Sequence, residues 1–462
     1  MTHGQLHKTF KVSNQDFIVR QGFRPLTEIS RGSYGIVLSA SYSHSSENIV
    51  IAIKKISNIF GSTQSSKRAL RELKLLQAFN GHKNIISLYD MDIVFYPTGI
   101  LNGIYIYEEL MECDMEQIIK SRQPLTEYHY QFFIYQILCG LRYIHSADII
   151  MRNVRPSNLL INSDCKLKIC GFSLAQKASN GVANNNQFSP EYLTTRWYHA
   201  PELLLNHHIY TTSIDVWSTG CVLGELITKE PIFHENDFVN QLNKIFQILG
   251  THSKEALDNI GSKTIKNHVS QLPYIPKPPM ENIFPGATTE CQDLLNKMLK
   301  FDSEQRITVD MALRHPYFSI WRDLDDERTY RRGIDFNFEG SNEMIVLKNE
   351  IIQEVTNFKD FIRESLLPTE VRHVDQPIIL RSQEQTQNVP LSKQNEQHQT
   401  CFTDQFPPFD GVEYLNQDPD LTFGLSDNSF NYLKRSSSET EVPMKQHSSD
   451  KSSSPDKDTS SV

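Results

Sequence analysis

No apolar run in the 462-residue sequence approaches the roughly 18 residues that a membrane-spanning helix needs. The opening stretch MTHGQLHKTFKVSNQDF also lacks a charged segment leading into an apolar one, as a secretory leader would require. A soluble protein of the cytoplasm and nucleus is expected, with no membrane partner. Cysteine is sparse and unpatterned. The seven residues, Cys113, Cys139, Cys165, Cys170, Cys221, Cys291 and Cys401, are odd in number, form no C-x-x-C pair and have no clustered histidines beside them. That points to a reducing compartment and away from a structural metal. Positive charge is not in excess either: 46 Lys and Arg face 55 Asp and Glu, for a net charge of −9. Direct nucleic-acid binding, which rests on concentrated positive charge, is therefore not expected. No internal repeat is present.

What is there is enough apolar material, 39% of residues, to bury one large core or two modest ones. The first hundred residues favour strands: GIVLSASY and NIVIAIKKI are β-branched runs separated by SHSSEN, the pattern of a hairpin. A helix follows at SSKRALRELKLLQAF, with Leu70, Leu73, Leu76 and Phe79 along one face. From Thr126 the balance tips to helix. In TEYHYQFFIYQILCGLRYIHS a threonine cap and Glu127 in the first turn precede Phe133, Ile137, Leu141 and Ile144, and SIDVWSTGCVLGELIT reads as a helix buried on nearly all sides. A small β-rich lobe followed by a large α-helical lobe is the architecture expected. Beyond about residue 365 the chain becomes polar and aperiodic, which predicts a disordered C-terminal tail. Within that tail, residues 402–433 alternate Phe and Tyr with acids, and read either as a linker or as a segment that docks on a partner.

Chemistry enters at ISRGSYGIV, where Gly32 and Gly35 sit in a strand-turn-strand setting. Taken alone this is a glycine-bearing hairpin or a phosphate-approaching loop. Lys54, in AIKK, lies mid-strand among apolar neighbours, where a lysine is costly unless paired, and Glu72 on the following helix is the candidate partner. Glycine loop, strand lysine and helix glutamate, in that order, match the ATP-phosphate apparatus of protein kinases.

The resemblance then becomes specific. The ordered series GSYGIV, AIKK, LRELKLL, YEELMECDM, RPSNLLIN, LKICGFSLA, TTRWYHAPELLL, DVWSTGCVLGEL and QRITVDMALRHPYF resembles the MAP kinases over about residues 23 to 365. Within them it resembles the fungal cell-wall-integrity type, and in particular a catalytically degenerate, pseudokinase paralogue. The resemblance implies an α+β, bilobal protein-kinase-like fold. An N-terminal extension would span 1–22 and the kinase-like domain 23–318, with its N-lobe at 23–110 and C-lobe at 111–318. A MAP-kinase-type extension would follow at 319–365, then the tail at 366–462. It also implies an ATP pocket formed by Ile29, Gly32, Gly35, Val37, Ala52, Lys54, Glu72, Glu109 and Met111.

Checked residue by residue, the chain departs from that family. The catalytic loop H-R-D-L-K-P-x-N becomes Met151, Arg152, Asn153, Val154, Arg155, Pro156, Ser157 and Asn158. Asn153 cannot accept a proton in place of the base, and Arg155 changes the reach of the lysine that steadies the phosphoryl group. The D-F-G motif reads Gly171, Phe172, Ser173, so the carboxylate that would hold Mg²⁺ is missing, although Asn158 remains as a metal-site residue. Ser30 replaces the first glycine of the loop. Weak or Mg²⁺-independent ATP binding is expected, a bound Mg²⁺ is not, and the alternative is that Lys54 and Glu72 persist as a structural pair.

The activating T-x-Y motif is also altered: Pro190 stands in the threonine position while Tyr192 remains. Arg71 and Arg152, which in the family meet the phosphothreonine, are kept, but their third partner has become Gln176. Arg196 remains on the tyrosine side, where a second arginine has become His199. The segment is either phosphorylated at Tyr192 or Ser189, or an unmodified loop. Beyond the large lobe, WRDLDDE places Asp323, Asp326 and Glu327 where MAP kinases carry a patch that receives basic docking peptides. Two functions remain open: a signalling scaffold or transcriptional co-regulator in a stress cascade, or a low-turnover serine/threonine kinase. In either, the implied partners are an upstream MAP kinase kinase, other pathway proteins and transcription factors.

Overall fold

A computed structural model describes residues 7–366 apart from residues 33, 45–46, 122, 179–195, 206–210, 236 and 252–272, all within one unit of the chain, Met1–Pro408. The expected disordered tail, including the aromatic-acidic segment, therefore lies outside the described residues, as do Ser189 and Tyr192.

The N-terminal lobe is built on a five-stranded antiparallel sheet in the order β3-β4-β5-β7-β6. Its strands are β3 (Phe23–Arg31), β4 (Gly35–His44), β5 (Glu47–Ile56), β6 (Leu88–Phe95) and β7 (Leu101–Glu109). The β4–β5 register, Gly35 opposite Ile56 and His44 opposite Glu47, is the hairpin that the two β-branched runs predict.

Residues before Phe23 contribute more than an extension. β1 (His7–Val12) and β2 (Gln15–Arg20) form a hairpin across Ser13 and Asn14, whose φ of 45° and 65° supplies the left-handed turn that matches strand twist. Alternation puts Phe10, Val12, Phe17 and Val19 into one buried cluster with Leu38, Ile53, Tyr105 and Tyr107 of the sheet. Arg20 then pairs with Asp90 and with Asp92, the latter at 3.1 Å, fixing the hairpin to β6.

Helix α1 (Thr63–Phe79) starts where Ser62 Oγ accepts from Ser65 N at 3.0 Å. Its Leu70, Leu73, Leu76 and Phe79 are fully buried, as their spacing predicts. Behind it lies α10 (Met344–Leu366), which buries Leu347, Ile351, Val355 and Phe358 and ties back through Lys74 Nζ to Glu354 at 3.0 Å.

The C-terminal lobe is helical. α2 (Met115–Lys120) and α3 (Glu127–His145) lead into it, and α3 buries Phe133, Ile137, Leu141 and Ile144 completely. Its start is a capping box in which His129 Nδ1 accepts from Thr126 N at 3.0 Å. After α4 (Pro201–Leu204), α5 (Ser213–Thr228) runs through the centre with almost every side chain buried, and Trp217 stacks on Phe233 at 5.3 Å. α6 (Phe238–Leu249), α7 (Met280–Ile283), α8 (Thr289–Met298) and α9 (Val309–Leu313) surround it. Arg306 and Glu202 form a buried fork with contacts of 2.7 and 3.0 Å, joining the strip after α8 to α4. Among the described residues, no helix is long and apolar enough to cross a membrane.

Candidate functional site

A cleft of about 720 Å³ opens between the sheet and the helical lobe. Its roof comes from Ile29, Gly32, Gly35 and Val37 on the β3–β4 turn and from Ala52 and Lys54 on β5. Its back carries Glu72 and Glu108, its connecting edge Glu109 and Met111, and its floor Asn153, Arg155, Asn158, Gly171 and His199. Every pocket residue named from the sequence is therefore a wall of one cavity.

The roof glycines differ in what they do. At Gly35 an added Cβ would lie 2.2 Å from Lys55 O, so the turn closes only without a side chain; at Gly32 the same space is open. Lys54 Nζ donates to Glu72 Oε1 at 2.5 Å, tying β5 to α1, and lies 5.0 Å over the Tyr34 ring. Burial works against the Lys54 charge, but Glu72 and Glu108 outweigh it and hold the ammonium above its ordinary pKa. Glu108 is pushed up to about 7, first by burial and then by Glu72, while Lys54 pulls the other way. Sequence reading missed Glu108; the only signal was its place beside Glu109 at the end of an apolar strand.

The floor is pinned from below by Asp215 on α5. Its carboxylate accepts from Met151 N and Arg152 N, each at 2.8 Å, and lies 2.8 Å from His145 Nε2. That clamp holds Arg152 at φ 60°, a left-handed backbone uncommon outside glycine. Asn153 Nδ2 donates to Gly171 O at 3.4 Å, and Asn158 Nδ2 donates to Asn153 O at 2.8 Å. Gly171 itself has φ +83°, and a Cβ there would meet Asn158 Oδ1 at 3.0 Å. His199 is pushed down to about 3 by burial, then by Arg152, Arg196 and Arg155. The positive potential of those three guanidinium groups is thus felt at one point of the floor.

Two floor positions, 158 and 171, are where the family's metal ligands stand. Gly171 offers no side-chain oxygen there, and Asn158 offers one amide oxygen.

The arginines named as phosphate receptors have protein partners. Arg71 Nε donates to Glu339 Oε1 at 2.8 Å and its Nη1 to Ser173 O at 2.5 Å, while Arg152 Nη1 donates to Gln176 Oε1 at 2.6 Å. One turn earlier on α1, Lys67 Nζ donates to Glu339 O at 2.7 Å. Glu339 carries no sequence signal, because its partners lie more than two hundred residues away. Of the acids after the large lobe, Asp323 is exposed and Asp326 pairs with Lys83. Glu327 turns inward, only 8% exposed, against Arg322 at 3.3 Å and Arg142 at 3.7 Å. Of the three acids Asp323 is thus open to solvent, Asp326 is half-buried in its ion pair, and Glu327 is buried and twice paired.

Comparison with known proteins agrees with this architecture. The protein kinase domain family matches residues 23–318. The chain is 55% identical over 359 residues to mitogen-activated protein kinase SLT2/MPK1 of Saccharomyces cerevisiae, covering 78% of this chain and 74% of that one. It is 49% identical over 355 residues to the serine/threonine-protein kinase KDX1 of the same yeast, covering 77% and 82%. With mitogen-activated protein kinase mpkA of Aspergillus fumigatus it shares 48% over 364 residues, covering 79% and 85%. A kinase match over the lobes that form the cleft, together with these relatives, makes the chain a member of the protein kinase family, among the mitogen-activated protein kinases.

Proposed function

We propose that this chain works mainly as a binding protein of kinase shape, a pseudokinase scaffold or transcriptional co-regulator within a stress cascade of the cell-wall-integrity kind. The observation that supports this reading is the contrast inside one cleft. The nucleotide walls and the Lys54–Glu72 pair are assembled, yet Asn153 and Gly171 occupy the floor where the family's base and metal-binding aspartates would act. Phosphoryl transfer depends on positioning and charge stabilisation, and loss of a general base alone costs about 10²- to 10⁴-fold. ATP fits the reading as a weak ligand whose phosphates face Lys54 and Arg155, with no metal held by Gly171. Asp323 and Asp326 would receive basic docking peptides from upstream MAP kinase kinases, pathway proteins and transcription factors, in cytoplasm and nucleus.

A second reading is favoured by the same Lys54–Glu72 contact and by Asn158: a low-turnover serine/threonine kinase. Radiolabelled phosphotransfer separates the two, run with the unaltered protein, Lys54→Met, and the double variant Asn153→Asp, Gly171→Asp. Activity of the unaltered chain that disappears with Lys54 refutes the scaffold reading. Thermal-shift titration with ATP, with and without Mg²⁺, tests the pocket, with equal stabilisation in both as the expected result. Asp323→Lys should weaken docking-peptide binding, and unchanged binding would remove that surface from the proposal.

A further inference from the structure

Residues 273–279 read Pro-Tyr-Ile-Pro-Lys-Pro-Pro and lead directly into α7. Four of these seven are prolines, which fix φ near −65° and carry no N–H. Ile275 and Lys277 each precede a proline, which confines them to extended or polyproline II backbone. Pro279, with φ −58° and ψ 141°, lies in the polyproline II region, and none of the seven residues belongs to a helix, strand or turn. The segment is tied to the lobe at Asn296 on α8, whose Oδ1 accepts from Lys277 Nζ, and at Thr251, whose Oγ1 donates to Pro273 O at 3.4 Å. Ile275 N donates to Thr251 Oγ1 at 2.9 Å, and Thr251 N donates to Ile275 O at 2.8 Å.

Burial follows the period of three that a polyproline II helix has. Ile275 and Pro278 share the half-buried edge against the lobe. Pro273, Pro276 and Pro279 form a second edge and Tyr274 and Lys277 a third, all exposed, with Tyr274 at 78%. The row of pyrrolidine rings therefore faces solvent, and on the third edge Tyr274 stands out from the lobe while Lys277 is bonded to Asn296.

We propose that residues 273–279 are a preformed polyproline II ligand that docks into the aromatic-lined groove of a partner domain reading left-handed proline helices. The occupant follows from the chemistry. Such grooves stack on proline rings and need a ligand whose backbone is already extended and loses little freedom on binding. A strand-adding partner would find few N–H donors here, and a helix-binding groove would find no helix. The surface lies apart from the cleft residues, so it stands whether or not the cleft transfers phosphate.

The test is calorimetric titration of the full-length protein with purified SH3, WW and profilin-type domains. Saturable binding by one of these classes is expected, weakened about tenfold or more by Pro276→Ala, Pro279→Ala and competed by a synthetic peptide of residues 270–282. Tyr274→Ala, at a fully surface-facing position, provides a variant that leaves folding intact, and it should weaken binding too. Asp323→Lys should leave binding unchanged. Absence of saturable binding to all three classes, binding indifferent to both the proline and the tyrosine substitutions, or binding to the free peptide but not to the protein would each overturn the proposal.

Discussion

Replacing Glu339 by glutamine should loosen α1 from the segment that precedes α10. Glu339 Oε1 meets Arg71 at 2.6 to 2.8 Å, where the Arg71 side chain is only 4% exposed and the Glu339 side chain 23%. Burial disfavours the Arg71 charge and the Glu339 carboxylate offsets it, so without Glu339 the guanidinium, which stays protonated, loses its compensating anion. Breaking a fully buried pair costs about 3–5 kcal/mol. Here the glutamine oxygen and Ser173 O still accept from the guanidinium, and Glu339 is partly solvated, so about 2 kcal/mol is the expected loss. At about 2–4 °C per kcal/mol, the unfolding midpoint should fall by about 4–8 °C in a thermal scan. The same substitution should lower ATP affinity, because Glu72, the partner of Lys54, is the neighbour of Arg71 on α1. In an Arg71→Met background the charge is gone and Glu339→Gln should become nearly neutral. An equal loss in both backgrounds, or a midpoint within about 1 °C of the unaltered protein, would refute the reasoning.

Three further outcomes follow from the geometry. Glu108, pushed up to about 7 from 4.5, binds its proton more readily in the folded state, so its contribution is lost as pH rises from 4.5 through 7. Relative to Glu108→Gln, the unaltered protein should lose up to about 3 kcal/mol between pH 4.5 and 8 in denaturant titrations, and a gain over that range would contradict the burial argument. Gly35→Ala places a methyl 2.2 Å from Lys55 O and should both destabilise the β4–β5 hairpin and abolish ATP-induced thermal shifts, whereas Gly32→Ala, facing open space, should leave stability unchanged. Glu202→Ala strands Arg306, whose side chain is wholly buried, and should cost about 3–5 kcal/mol in chemical unfolding.

How much of this was legible depended on how far apart in the chain the determinants lie. The buried face of α3 follows from the spacing of Phe133, Ile137, Leu141 and Ile144 alone, and the β4–β5 hairpin from two β-branched runs and a polar turn. Lys54 and Glu72 could be paired in advance because a strand lysine among apolar residues demands an anion, and only the next helix is near enough. The β1–β2 hairpin escaped notice because two six-residue strands carry too little pattern to show that Phe10 and Phe17 have a sheet to pack on. Glu327 misled for a different reason. WRDLDDE reads as a solvated acidic run until Arg142, on α3, draws one of its carboxylates inside. Glu339 was invisible to local reading, since Arg71 and Lys67 reach it only when the chain returns to the first lobe.

The floor contacts between Asn153, Asn158 and Gly171 also bear on what a carboxylate placed at either position would meet. Restoring aspartate at 153 alone would set a carboxylate oxygen against Gly171 O, where Asn153 now donates a hydrogen bond at 3.4 Å. Restoring a side chain at 171 alone would press its Cβ to within 3.0 Å of Asn158 Oδ1. The two substitutions thus meet separate obstacles, a backbone carbonyl for the first and the Asn158 amide for the second.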